Sequence, residues 1–170
     1  ADKTAILFEP NDPKEKAQHI SYKELHERVC KFANVLKAQG IEKGDRVCIY
    51  LPMIPELAVS VLACARIGAV HSVVFAGFSS SALATRINDC DCKMVICSDG
   101  SYRGAKTIDL KGIVDQALET CPGVETNLVV NRTGGEVTMK EGRDVWIQPL
   151  LDNASADCEA TIVDAEDPLF

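Results

Sequence analysis

The strongest constraint on what this 170-residue chain can fold into lies in residues 41–79. There it reads turn, strand, turn, helix, strand, turn. Lys43-Gly44-Asp45 makes the first turn. Arg46 to Leu51 is a short apolar run containing β-branched and aromatic residues, the pattern of a buried strand. Pro52 and Pro55 stop it, and Pro55 suits the first helical position, where a missing N–H costs no hydrogen bond. From Leu57 to Ile67 apolar residues go nearly all the way round, so the expected helix is buried or sandwiched. Gly68 can take the left-handed position that ends it. Val70 to Phe75 is a second apolar run, followed at once by Gly77. Strand, helix and strand at this length make a βαβ unit with parallel strands and a right-handed crossover.

In open parallel sheets, ligands sit beyond the carboxyl ends of the strands. Phe75-Ala76-Gly77-Phe78-Ser79 lies at such an end. A glycine there either lets a ligand come close to the backbone or simply makes the turn, and spacing leaves both readings open.

The same alternation continues on either side. Ala5 to Phe8 reads as an edge strand, followed by a polar turn around Asn11-Asp12-Pro13 and a solvated loop carrying Asp12, Lys14, Glu15 and Lys16. Ser21-Tyr22-Lys23-Glu24 is a capping box opening a helix that ends at Gly40, with Leu25, Val29, Phe32 and Leu36 on one stripe. His26 lies off that stripe, and neither it nor His19 is assigned chemistry. Ser79 to Ser81 offers caps for a short helix ending near Asn88, and Lys93 to Cys97 is a third buried strand. Asp109 can cap a helix that stops at Cys121-Pro122-Gly123. Asn127 to Val130 is a fourth strand, Val137 to Met139 a short returning one, and Val145 to Leu151 packs down through Trp146, Ile147 and Leu150.

Between the third strand and the Asp109 helix lies Tyr102-Arg103-Gly104-Ala105-Lys106, with Lys111 close behind. Arg103 and Lys106 can converge on a phosphate, one as a bidentate fork and the other as a point charge. The competing reading is a solvated loop balanced by Asp99 and Asp109.

Composition narrows the classes. Hydrophobic residues at 46% and charged residues at 25% suit one α/β domain over residues 1–170, a parallel sheet layered between helices. A net charge of −7 argues against general nucleic-acid binding, which needs a basic face. Much of that charge sits in an expected acidic surface loop over 152–167, which has six carboxylates and no Lys or Arg. No apolar stretch is long enough to cross a membrane, and the first residues carry no signal-peptide core. Three of the eight cysteines, Cys30, Cys48 and Cys64, fall within apolar patterns. A reducing cytoplasm fits them best. Cys90, Cys92 and Cys97 cluster without a His or a fourth ligand at zinc spacing, so no metal site is expected. There is no phosphate loop of the G-x-x-x-x-G-K-[ST] kind, no dinucleotide fingerprint and no nucleophile elbow. The residues alone lead to an α/β domain with a possible anion site on loops 75–79 and 102–106.

The run GDRVCIYLPMIPELAVSVLACARIGAVHSVVFAGFS at 44–79 resembles the adenylate-forming acyl-CoA synthetases, and their acetyl-CoA synthetase branch in particular. SDGSYRGAK at 98–106, NRTG at 131–134, EGRDVW at 141–146 and AEDPLF at 165–170 resemble the same branch, so the likeness covers the whole chain. It implies a flavodoxin-like subdomain from the N-terminal half of a longer enzyme; Leu169-Phe170 after Pro168 also reads as the start of a further strand. The implied reaction joins acetate to CoA through acetyl-adenylate, with ATP, Mg²⁺ and CoA, releasing AMP and pyrophosphate. The ATP loop, acyl pocket and catalytic lysine of the family lie beyond Phe170, so the resemblance places no catalytic residue here and implies an inactive piece. What it does imply is part of the CoA site: Gly77 against the nucleotide, and Arg103 and Lys106 at its 3′-phosphate. Ala76 stands where the family also has glycine. The implied partners are small-molecule substrates and the remainder of the same polypeptide, with no nucleic acid and no membrane. A propionate- or acetoacetate-specific relative, a free-standing CoA- or nucleotide-binding module, and an interaction domain that only keeps the fold are the alternatives.

Overall fold

Five short strands, the central three rich in buried apolar residues, pair side by side in one direction at the centre of the molecule. The computed structural model describes residues 1–11 and 14–170; the Asp12-Pro13 part of the expected polar turn lies outside the described residues. In chain order the elements are β1 (Thr4–Phe8), β2 (Gln18–Ser21), α1 (Tyr22–Ala38), β3 (Arg46–Tyr50), α2 (Pro55–Ile67), β4 (Val70–Val73), α3 (Ser80–Asp89), β5 (Met94–Ser98), β6 (Gly100–Arg103), β7 (Lys106–Asp109), α4 (Leu110–Leu118), β8 (Thr126–Val130), β9 (Asp144–Trp146) and α5 (Ile147–Asn153).

The central sheet runs β4-β3-β5-β8-β9, all parallel. Counting only its own strands, the order is 2-1-3-4-5, the flavodoxin-like winding that the resemblance implies. Alternate residues of each strand go to opposite faces. Val47, Ile49, Met94, Ile96, Leu128 and Val130 join α1, α2 and α5 in one core. Cys48, Tyr50, Val95, Cys97 and Val129 join α3 and α4 in the other. The result is three layers, helix, sheet and helix.

Local chemistry explains the ends. Ser21 and Glu24 form the capping box, with Ser21 Oγ accepting from Glu24 N at 3.2 Å and Glu24 Oε2 accepting from Ser21 N at 2.7 Å. Pro55 opens α2 and Gly68 closes it at φ 71°. The expectation that α2 is buried all round holds on one side only: Val59, Ala63, Cys64 and Ile67 are covered, whereas Leu62 is 42% exposed. No helix of the described residues is long and apolar enough to cross a membrane.

Three pairings depart from the sequence reading. β2 pairs antiparallel with β1 in a separate hairpin. Residues 137–139 form no strand; β9, only three residues long, takes the sheet edge beside β8 instead. Tyr102 to Lys106 is a β-hairpin tip rather than an open loop.

Residues 154–170 hold no helix or strand, yet they are tied down. Asn34 Nδ2 donates to the carbonyls of Ser155 and Asp157, both at 2.9 Å. Arg66 donates twice to the Cys158 carbonyl, at 2.8 and 2.6 Å, and Cys158 is buried against the α1 core. Lys43 pairs with Asp167 at 2.8 Å. The segment then reaches the β4 edge, where His71 N donates to the Leu169 carbonyl at 3.2 Å.

Candidate functional site

Parallel strands bring their following loops to one edge. In this winding the chain order reverses between β3 and β5, and in open α/β sheets ligands bind in the crevice outside the carboxyl ends at such a point. The turn after β4 and the hairpin after β5 flank it, two strand spacings or ~10 Å apart across the sheet.

The first wall is residues 75–79. Phe75 O accepts from Gly77 N at 2.7 Å and from Phe78 N at 3.1 Å, closing a tight turn. Tyr50, at the carboxyl end of β3, donates its hydroxyl to the Phe78 carbonyl at 2.8 Å. Burial pushes the Tyr50 hydroxyl up, which keeps it protonated and donating. Arg86 of α3 stacks 4.6 Å from the Phe78 ring centre, and Ser79 caps α3 by accepting from Ala82 N at 3.3 Å. Phe75 meets Phe78 edge-on with centroids 6.0 Å apart, and it remains 70% exposed. Gly77 lets the Phe75 ring lie against the backbone: a Cβ there would push that exposed, movable ring aside. The residue therefore makes the turn and also leaves room for an open aromatic face at the strand end.

The second wall is the β6–β7 hairpin. Gly104 and Ala105 form its two-residue loop. Gly104 has φ 60° and Ala105 does not share the positive φ, the pattern of a II′ turn. Arg103 and Lys106 are direct partners across that turn, so they project from the same face. Like charges placed opposite each other repel, and among the described residues neither has an ion pair. An anion between them would relieve that repulsion.

The carboxylates that could have balanced them are engaged elsewhere. Asp109 caps α4, accepting from Gly112 N at 2.8 Å. Asp99 is buried at 2% exposure and accepts from Gly100 N (2.7 Å), Arg132 N (2.7 Å), Thr133 N (3.0 Å), Thr133 Oγ1 (2.7 Å) and Gly135 N (3.1 Å). Burial pushes its carboxyl up, but those bonds from Thr133, Arg132 and Gly100 outweigh it and hold the pKa below the usual carboxylate range.

Lys111 does not join the pair. It is 1% exposed and donates to Asp115 at 2.7 Å, to Asp144 at 2.8 Å and to the Thr138 carbonyl at 2.8 Å. Arg143 completes this buried network with bonds of 2.6 Å to Asp115 and to Asp144. The EGRDVW stretch therefore serves to neutralise Lys111.

Arg132, in the NRTG stretch, had been given no role in the sequence reading. Its guanidinium lies 5.3 Å from the Tyr102 ring centre and 5.8 Å from that of Phe8, and it donates to Asn11 Oδ1 at 3.4 Å. It borders an open cleft of about 380 Å³ with Asn11, Glu15, Tyr102, Gly104 and Ala105. Its partners lie far away in sequence, so no local pattern could have singled it out. The carboxyl edge thus offers an open aromatic face and a pair of unneutralised cations, suited to a planar base and a phosphate. Gly77 and the cation pair both follow strands at the carboxyl edge of the sheet, but no hydrogen bond, ion pair or ring contact joins them.

Comparison with known proteins gives concordant matches. A family model described as AMP-binding enzyme matches residues 1–170. An acetyl-coenzyme A synthetase of Alkalilimnicola ehrlichii is 57% identical over 169 residues, which is 99% of this chain and 26% of that protein. Acetyl-coenzyme A synthetase 2 of Pseudomonas aeruginosa is also 57% identical over the same shares. Among solved structures, acetoacetyl-CoA synthetase from Streptomyces lividans superposes with a TM-score of 0.86 at 26% identity, covering 99% of this chain and 25% of that one. The chain spans about a quarter of the length of these relatives.

Proposed function

The chain belongs to the AMP-binding enzyme family, and on that premise we propose that it is the CoA-facing part of the N-terminal domain of an acetate–CoA ligase. The observation that carries this reading is the 57% identity to acetyl-coenzyme A synthetases over 99% of the chain. The likeness to the acetoacetyl-CoA synthetase, at 26%, is weaker, which puts an acetoacetate-specific ligase second.

In the proposed reaction acetate attacks the α-phosphorus of ATP, giving acetyl-adenylate and pyrophosphate. The CoA thiol then attacks the activated carbonyl, and AMP leaves. Adenylation turns a poor leaving oxygen into a good one. Mg²⁺ would offset phosphate charge in the first half, but among the described residues no group of three or more His, Cys, Asp or Glu could hold a metal ion, so none of them is assigned to it. These residues have one task, to hold CoA. Arg103 and Lys106 grip its 3′-phosphate, and the turn at Gly77 admits the nucleotide beside Phe75. Residues 1–170 act as one α/β unit with the acidic 152–167 stretch at its surface, and the rest of the polypeptide supplies the ATP and acyl sites. The eight free cysteines support a cytoplasmic location.

The full-length protein tests this. It should form AMP with acetate, ATP, Mg²⁺ and CoA, faster than with propionate or acetoacetate. It should bind CoA more tightly than dephospho-CoA by about tenfold or more, the worth of a charge-assisted phosphate contact. Arg103→Ala should erase that preference. Equal binding of the two ligands by the unaltered protein would remove the phosphate assignment, and faster turnover of acetoacetate would promote the second reading.

A further inference from the structure

We propose that Arg132 is a positioning residue for the phosphate-facing hairpin, an inference that rests on the CoA reading above. Residues alternate sides along a strand. Arg103 and Lys106 share one side of the β6–β7 ribbon, and Tyr102 and its partner Thr107 share the other. Arg132 stacks on the Tyr102 side. Its guanidinium faces away from the cation pair and braces the ribbon from behind.

The brace has a fixed base and a fixed far end. At the base, buried Asp99 accepts from the Arg132 backbone N–H and also from Gly100 N, at the root of β6. The packing there is close: a Cβ on Gly100 would lie 2.9 Å from the Ile108 carbonyl oxygen and 3.0 Å from Thr133 Oγ1. At the far end the guanidinium stands over Phe8 of β1 and donates to Asn11. One planar cation therefore spans two separate two-stranded hairpins, Tyr102 on one and Phe8 on the other. Arginine suits this because its flat face stacks on rings while its edge still donates. With the stack in place, the ribbon presents Arg103 and Lys106 at a set angle to the crevice. Without it, the root stays bound and the outer part swings, so the two cations are not held ready for the phosphate.

The test combines ligand preference with backbone protection in the full-length protein. Arg132→Ala should cut the preference for CoA over dephospho-CoA by about two- to fivefold, the worth of a ring–cation stack at an exposed site. Amides of residues 101–108 should exchange faster, while those of β3 and β5 stay protected. Arg132→Lys should keep part of the preference and Phe8→Leu should lose part of it. If Arg132→Ala proves unfolded by circular dichroism, these two variants decide by the same two readouts. Unchanged preference together with unchanged exchange would overturn the proposal. If the unaltered protein binds both ligands equally, the CoA reading fails, and exchange at 101–108 alone then decides whether the brace exists.

Discussion

At the scale of single residues, chemically identical charges have been put to opposite uses. Lys111 and Lys106 lie five positions apart, yet one is sealed among Asp115, Asp144 and a carbonyl while the other is open. Asp144 shows the consequence. Burial pushes its carboxyl up, but bonds from Arg143, Lys111 and the Lys140 N–H more than reverse that, and its pKa falls from 3.8 to about 2. A carboxylate whose folded pKa is depressed stabilises the fold above its unfolded pKa and loses that contribution as pH falls. The contribution should therefore be whole above pH 4 and fade between about pH 4 and pH 2, to a total of about 2 kcal/mol. Asp99 acts in the same direction. Urea unfolding measured across this range should show a steep acid limb, and Asp144→Asn should flatten it while lowering stability at pH 7.

At the scale of elements, the end of α3 makes the sharpest case. Asp91 N donates to the Asn88 carbonyl and Cys92 N to the Ile87 carbonyl, which is the Schellman arrangement with Asp91 in the left-handed position at φ 47°. Glycine is the usual residue there. Asp91→Gly should stabilise the fold by about 0.5–1 kcal/mol, raising Tm by about 1–4 °C; calorimetry checks it. The lost contact to Arg46, at 3.7 Å on a highly exposed carboxylate, should not offset the gain. The same scale explains what could be read from the chain beforehand. β3, α2, β4 and β5 were legible because long apolar runs are punctuated by Pro55 and Gly68. β2, β9 and the β6–β7 hairpin were not, because each is three or four residues, partly polar, and extended only through a partner elsewhere in the chain. The site divides in the same way. Gly77, Arg103 and Lys106 stand out as residue types at strand ends, whereas the exposure of Phe75, the loss of Lys111 to a buried network and the stacking of Arg132 depend on distant contacts.

At the scale of the whole molecule, the segment after α5 lies across α1 and α2, and Arg66 is its principal clasp. Arg66→Ala removes both bonds to the Cys158 carbonyl and should cost about 1–3 kcal/mol. The expected sign is faster cleavage within 154–167 under limited proteolysis, with the helices near the centre still resistant. The clasp also sets a schedule. The sheet can be laid down in order as the chain emerges, since β5, β8 and β9 add one after another to the same side of β3. The Cys30 flank of α1 cannot be closed that way, because its cover is Cys158, 128 residues later. At a synthesis rate of about 5–20 residues per second, that flank stands open on the ribosome for roughly 6–26 s. During that interval the nascent chain shows a thiol and an apolar strip to whatever waits at the tunnel exit, so α1, first of the described helices in chain order, is among the last to be covered.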